Sequence, residues 1–173
     1  MADVAADVGV SRQTLYNEFG SKDALAQALL AQELGSILDG IRSRLDDHQD
    51  IQAAVTHALG WALRETAGHA ALQRILSEAR EGVSNTFLPL LTTRADAVVI
   101  PAADTFESYA RERWPDQLHD DSDPPPRAVI ESLVRLLLSH IVLPSGTPED
   151  TAHILAALTA KALTADHGRA REA

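Results

Sequence analysis

Two glycines do most to limit what the start of this chain can become. In VAADVGVSRQTLYNEFGSKDALAQAL, residues 4–29, Gly9 and Gly20 stand where helical patterns stop, and a serine follows each closely. Val4, Ala5 and Val8 make the inner face of a short first helix. Gly9 lets the chain turn at little steric cost, and Val10 is expected to plug back into the core. Ser11 is placed to cap a second helix, its hydroxyl accepting a backbone N–H near Thr14. That helix runs to Phe19, and Gly20 ends it in the position that favours a left-handed backbone. Ser21 then caps a third. Helices joined by so tight a turn have the pattern of a helix-turn-helix.

The second helix divides by angle into two faces. Leu15 and Phe19, at i and i+4, point inward, while Gln13, Thr14 and Asn17 cluster on the opposite side with Tyr16 at the flank. A short polar face that both donates and accepts is what reading base edges in a major groove requires. Gln13 or Asn17 can pair with adenine, and the Thr14 methyl can meet a thymine methyl. Arg12 and the Tyr16 hydroxyl suit phosphates, which position a helix without specifying sequence. Lys22 stands at the N-terminus of the third helix, where free N–H groups already favour a phosphate. The plainer reading of such a face is a solvated surface. Charge gives the functional reading no help: residues 1–30 set Arg12 and Lys22 against Asp3, Asp7, Glu18 and Asp23, a net of −2. DNA affinity rests largely on neutralising phosphates, so this fragment by itself is expected to bind weakly.

Beyond it the pattern stays helical. Leu25, Leu29, Leu34, Leu38, Ile41 and Leu45 mark one long helix, with Gly35 and Gly40 as sites of a bend or a close helix contact. Asp50 is an N-cap for a helix over about Ile51–Thr66, whose inward side is Val55, Leu59, Ala62 and Leu63, and Gly68 fits its stop. A short helix at about His69–Glu81 and a turn, GVSNTFLPLL, come next. A helix over about Thr92–Arg113 should be kinked or divided at Pro101. WPDQLHDDSDPPPR reads as a mobile, acidic loop, and helices at about Arg127–Leu143 and Pro148–Ala165 close the chain. No strand or repeat emerges, so the fold class is all-α: an N-terminal helix-turn-helix head on a larger helical body.

Composition excludes more than it selects. There is no cysteine, so disulfides, thiolate metal sites and cysteine catalysis are ruled out. No apolar run approaches the roughly 18 residues of a membrane span, and no basic leader precedes an apolar stretch, so the chain reads as soluble, unsecreted and cytoplasmic, with no membrane partner. The net charge of −10 argues against a surface coated in nucleic acid but leaves room for a small local DNA face. The seven histidines lack metal-ligand spacing, and no nucleophile motif or phosphate-cradling glycine loop occurs. No catalytic residue, metal or cofactor is expected.

The last two helices are too apolar for one neighbour. In RAVIESLVRLLLSHIVL, residues Val129, Ile130, Leu133, Val134, Leu136, Leu137, Leu138 and Ile141 fill more than half the circumference. The final helix interleaves Ile154, Leu155, Leu158 and Leu163 with alanines that permit close approach. Two explanations stand: a two-fold four-helix interface with a second copy through about 127–143 and 148–165, or an interior hairpin in a monomer.

The opening segment closely resembles the DNA-binding segment of TetR-type (tetracycline-repressor-like) transcriptional regulators. Their signature of I/V-A-x-x-x-G-V-S, T-L/I-Y-x-x-F and S-K-x-x-L is matched almost letter for letter. ALQRIL, LLTTRADAVV and RLLLSHIVLPSGTPED resemble segments of the same proteins more weakly. The resemblance implies a homodimeric repressor on a roughly palindromic operator, released by a small molecule bound in the body. It assigns DNA contacts to Ser11, Arg12, Gln13, Thr14, Tyr16, Asn17 and Lys22. It divides the chain into a DNA-binding domain over 1–34 and a ligand-binding and dimerisation domain over 35–173. Such proteins usually carry a further helix before this unit. With only Met1–Asp3 ahead of it, the expectation is a start upstream of Met1 or a trimmed chain. Effector contacts are expected among His57, Trp61, Phe87, Phe106, Tyr109 and His140, although aromatics at helical spacing are more often core. The competing readings are a dimeric helical ligand-binding or interaction module that does not bind DNA in this truncated form, and a small helical enzyme.

Overall fold

The computed structural model of the chain describes residues 5–6, 9–70, 72–73, 76–77 and 98–164. Among them every regular element is a helix: α1 (Arg12–Phe19), α2 (Lys22–Leu45), α3 (Ile51–Gly68), α4 (Val99–Arg113), α5 (Pro126–Val142) and α6 (Pro148–Thr164). The class is all-α. Residues 1–36 and 37–173 form two compact units, and the division falls within α2. None of the described helices is long and apolar enough to cross a membrane.

The helix ends follow local chemistry. Ser11 Oγ accepts the Thr14 N–H at 3.0 Å, and Asp50 Oδ1 accepts that of Ala53 at 2.7 Å. Thr147 Oγ1 accepts the Asp150 N–H at 3.1 Å and donates back to Asp150 Oδ2 at 2.7 Å. Each satisfies a first-turn donor that has no partner inside its helix. Gly20, at φ 72°, closes α1 by donating its N–H to the Tyr16 carbonyl at 2.9 Å. Pro101 sits in the first turn of α4, where no intrahelical N–H bond is lost, so it marks a beginning instead of a kink. Of the expected helix at His69–Glu81, residues 70, 72–73 and 76–77 are described and helical. The turn at 82–91 and residues 92–97 lie outside the described residues.

In the first unit, Ala5 and Leu15 are buried, and Phe19 is half-buried. Val10 departs from expectation: it is 40% exposed. Its backbone is what the turn uses, the N–H donating to the Ala5 carbonyl at 3.0 Å, and the side chain is left outside. Val4 and Val8 lie outside the described residues.

The second unit is built around α3 and α6, its most extensive helix pair. Ala54, Ala58 and Ala62 of α3, together with Ala152 and Ala156 of α6, are all but completely buried. A Cβ on Gly60 would come within 3.7 Å of the Ala152 methyl, so the two backbones run close. Small side chains permit that approach, and Val55, Leu59, Leu155 and Leu163 fill the space beside it. α5 lays Ile130, Val134, Leu137 and Leu138 against this layer, and α4 packs on α5. The loop after α4 is anchored, contrary to the expected mobility: Trp114 is 5% and Leu118 6% exposed. Burying a side chain of that size stabilises by about 1.5–3 kcal/mol, enough to hold a polar loop against the body.

Gly40 is a close contact. The Trp61 ring lies on it, with the Arg44 guanidinium 3.8 Å from the ring centroid and Arg44 Nη1 donating to the Gly40 carbonyl at 2.9 Å. A Cβ at residue 40 would overlap the indole. Gly40→Ala is therefore expected to destabilise the fold by about 1–3 kcal/mol through overpacking, despite alanine's better helix propensity. Urea denaturation checks this; a more stable variant would mean that the indole moves aside without loss.

Candidate nucleic-acid interface and internal cavity

Short-range chemistry organises the outward face of α1. Ser11, Arg12, Gln13, Thr14, Tyr16 and Asn17 are all exposed, while Leu15 turns under the helix. The hydroxyls of Ser11 and Thr14 meet at 2.8 Å. Gln13 Nε2 donates to Asn17 Oδ1 at 2.9 Å, one turn apart along the helix. The Arg12 guanidinium stands 5.5 Å from the centroid of the Tyr16 ring. The result is an exposed strip of two linked amides beside a cation braced on an aromatic ring. It offers donors, acceptors and a positive charge to whatever meets it. Lys22 opens α2, whose first turn is capped by Ser21 Oγ accepting the Ala24 N–H at 3.0 Å. The Lys22 side chain lies outside the described residues.

A second feature lies inside the 37–173 unit. A cavity of about 60 Å³ opens among α2, α3, α4, α5 and α6. Its walls are aliphatic and aromatic: Leu45, Val55, Leu59, Phe106, Leu133 and Val134 are representative, and Tyr109 and Thr159 bring hydroxyl-bearing side chains. Space of that size holds a few atoms; small-molecule pockets run to roughly 300–1,000 Å³, so a larger guest must displace side chains.

One wall of this cavity is tied to the corner between α2 and α3. The Tyr109 hydroxyl donates to Asp46 Oδ1 at 2.7 Å, and the Trp114 indole N–H donates to the Gln49 carbonyl at 2.8 Å. Arg113 adds a longer bond, 3.3 Å, to the His48 carbonyl. The Tyr109 and Trp114 rings meet edge to face at 6.0 Å. Burial, then the hydrogen bond to Asp46 and that carboxylate's charge, push the Tyr109 phenol up to about 12, with Arg113 opposing.

Of the six body positions expected to meet an effector, the five that are described lie in three different places. Phe106 and Tyr109 line the cavity. His57 lies elsewhere, on the surface, with Nδ1 3.5 Å from Asp47 and its ring edge-on to His48 at 5.2 Å. Trp61 is spent on Gly40 and Arg44. Both leave the cavity because the inward face of α3 belongs to Val55, Ala58 and Leu59. His140 borders a separate, more polar cleft of about 250 Å³ and meets Ser145 Oγ through Nδ1 at 3.3 Å. Phe87 lies outside the described residues. Sequence reasoning overlooked Trp114, which Pro115 and the acidic run after it disguise as loop. A tryptophan in so polar a stretch was the available signal, since so large an apolar ring is seldom left in water.

Comparison with known proteins bears on both features. The profile of "Bacterial regulatory proteins, tetR family" matches residues 1–29, and that of "Bacterial Tetracyclin repressor, C-terminal domain" matches residues 50–161. The chain is 28% identical over 159 residues to the HTH-type transcriptional regulator AlkX of Mycobacterium tuberculosis, covering 91% of this chain and 72% of that protein. It is also similar to the crystal structure of the TetR family repressor AlkX from a Dietzia species, implicated in biodegradation of n-alkanes. There the TM-score is 0.71 at 28% identity, over 94% of this chain and 84% of the other.

The Tyr109 bond has a pH signature. A phenol whose folded pKa exceeds its unfolded value of 10.0 favours the folded state fully below pH 10, and that contribution is lost as pH rises toward about 12. Ultraviolet titration of the protein against Tyr109→Phe should show one tyrosinate appearing near that upper value. A Tyr109 that ionises like a free phenol would mean that the bond to Asp46 does not persist in solution.

Proposed function

Because the chain belongs to the TetR family of bacterial regulatory proteins, we propose that it is a ligand-responsive repressor that binds a roughly palindromic operator as a homodimer and is released by a small molecule. That it regulates transcription follows from family membership; repression, dimerisation and release are inferred. The observation that carries the inference is the face of α1, where Gln13, Thr14 and Asn17 stand exposed on a helix capped at both ends. Ser11, Arg12, Tyr16 and Lys22 are assigned to the phosphates around it. The DNA-binding domain is placed over about 1–34 and the ligand-binding and dimerisation domain over 35–173.

Dimerisation is supported by what α5 and α6 leave uncovered. Leu136 is 44% exposed, and Ile154 and Leu158 are each 57% exposed. Leu136 and Leu158 border an apolar groove floored by Ala128, Ser132 and Ala162. A two-fold axis would lay this hairpin against its own copy and remove the patch from water. The apolar cavity supports an effector with a hydrocarbon body. The n-alkane association of the Dietzia relative agrees with that chemistry. One observation favours the competing module that does not bind DNA: the net charge of −2 over residues 1–30.

Mobility shift on the DNA flanking its own gene separates the two. The repressor should bind that DNA over random duplex. Arg12→Ala should weaken binding to all sequences alike and lower the salt slope by about 1, as loss of one phosphate contact requires. No binding to either DNA would favour the other module, and equal binding to random duplex would sink the repressor reading.

Sedimentation tests the interface. Leu158→Glu should convert the dimer to a monomer with its helicity intact, whereas an unchanged mass would place the interface elsewhere.

A further inference from the structure

Two side chains border both apolar spaces of the 37–173 unit. Leu133 of α5 and Thr159 of α6 line the internal cavity, and the same two line the groove on the α5–α6 hairpin. The cavity measures about 60 Å³ and the groove about 210 Å³. A wall one side chain thick therefore divides a small inner space from a larger outer one.

A guest larger than the cavity must move part of its lining. Much of that lining has nowhere to go: Ile51, Val55, Leu59, Ile130 and Val134 are buried in the packed core. Tyr109 and Trp114 are tied by hydrogen bonds to Asp46 and the Gln49 carbonyl. Thr159 is short, 5% exposed and, being β-branched on a helix, stiff. Phe106 is half-buried, but its ring turned outward would meet water. Leu133 differs from all of these. It is half-buried, unbranched at Cβ, and has an apolar groove on its far side.

We propose that Leu133 is the part of the wall that yields, turning out of the cavity and into the groove when a hydrocarbon-bodied guest enters. The groove belongs to the face assigned above to self-association, so guest and second copy compete for the same volume. This rests on both the effector and the homodimer readings. A free chain has room for the displaced leucine, and a paired chain does not. The guest therefore weakens the dimer, and pairing weakens the hold on the guest, because linkage is reciprocal. Each dimer has two cavities, so a roughly three-fold preference of the guest for the single chain compounds to about ten-fold in the dimer Kd.

The test is sedimentation of the full chain with and without 1-octanol, whose apolar chain is bulkier than the cavity. Saturating octanol should raise the dimer Kd about ten-fold. Leu158→Glu breaks the self-association face without touching the cavity lining. By calorimetry that variant should bind octanol about three-fold more tightly than the wild-type dimer does. Leu133→Ala takes the wall away, so octanol should then move the dimer Kd by less than about two-fold, and the milder Leu133→Val should fall between. An octanol effect undiminished in both Leu133 variants would mean that octanol acts on the interface directly and would overturn the proposal. So would a wild-type dimer unchanged or strengthened at octanol concentrations that saturate Leu158→Glu. Both outcomes leave the effector and homodimer readings standing. Octanol bound by neither form would overturn the hydrocarbon effector together with this inference, and a wild-type chain monomeric throughout would overturn the homodimer together with it.

Discussion

Alanine methyls, not large side chains, meet where α3 lies along α6. Ala58, Ala62, Ala152 and Ala156 are buried to within about a hundredth of their surface, and Gly60 faces Ala152. Bringing two backbones so near leaves no room for branched residues in the seam and pushes them to its edges. Val55, Leu59, Leu155 and Leu163 therefore stand beside the contact, where they form the platform for α5. The cavity is a consequence of the same arrangement. A seam this narrow cannot also fill the wider space between α2, α4 and α5, and Phe106, Tyr109 and Leu133 close that space only in part.

Polar groups stitch this apolar body together at one corner. Tyr109, Arg113 and Trp114, at the end of α4, bond to Asp46, His48 and Gln49 between α2 and α3. Two of the three rings or chains involved, Tyr109 and Trp114, also face the cavity, so its wall is held by hydrogen bonds while its lining remains apolar. A guest needing more than about 60 Å³ presses against groups whose partners belong to neighbouring helices. In the other unit the short helix α1 depends on its ends. Ser11 and Gly20 hold a helix of eight residues whose only buried side chain is Leu15.

How much was legible varied with the range of the interaction. The caps at Ser11 and Asp50 are three- and four-residue events, written wholly in local sequence, and so were the inward positions of α3. Val10 and Trp114 went the other way. A valine beside a turn looks like a core plug, and only the hydrogen bond from its own backbone explains why the side chain stays out. Trp114 looked like part of a loose acidic loop because its partner, the Gln49 carbonyl, is 65 residues away. His57 and Trp61 were sensible effector candidates by type. They do not line the cavity, because α3 turns Val55, Ala58 and Leu59 toward it instead.

The sequence by itself determined an all-α chain, the helix-turn-helix at its start, the two faces of α1 and an excess of apolar surface on the last two helices. Each depends on residues a few positions apart, through the helical period and the chemistry of caps and glycines. Tertiary structure alone decided which apolar residues enclose the cavity and which, such as Leu136 and Leu158, the chain's own helices leave uncovered. It also decided that Trp114 turns back to donate to the Gln49 carbonyl, 65 residues away. The physical reason is common to both. Period and propensity say which side of a helix is apolar, whereas burial and side-chain pairing depend on what stands opposite.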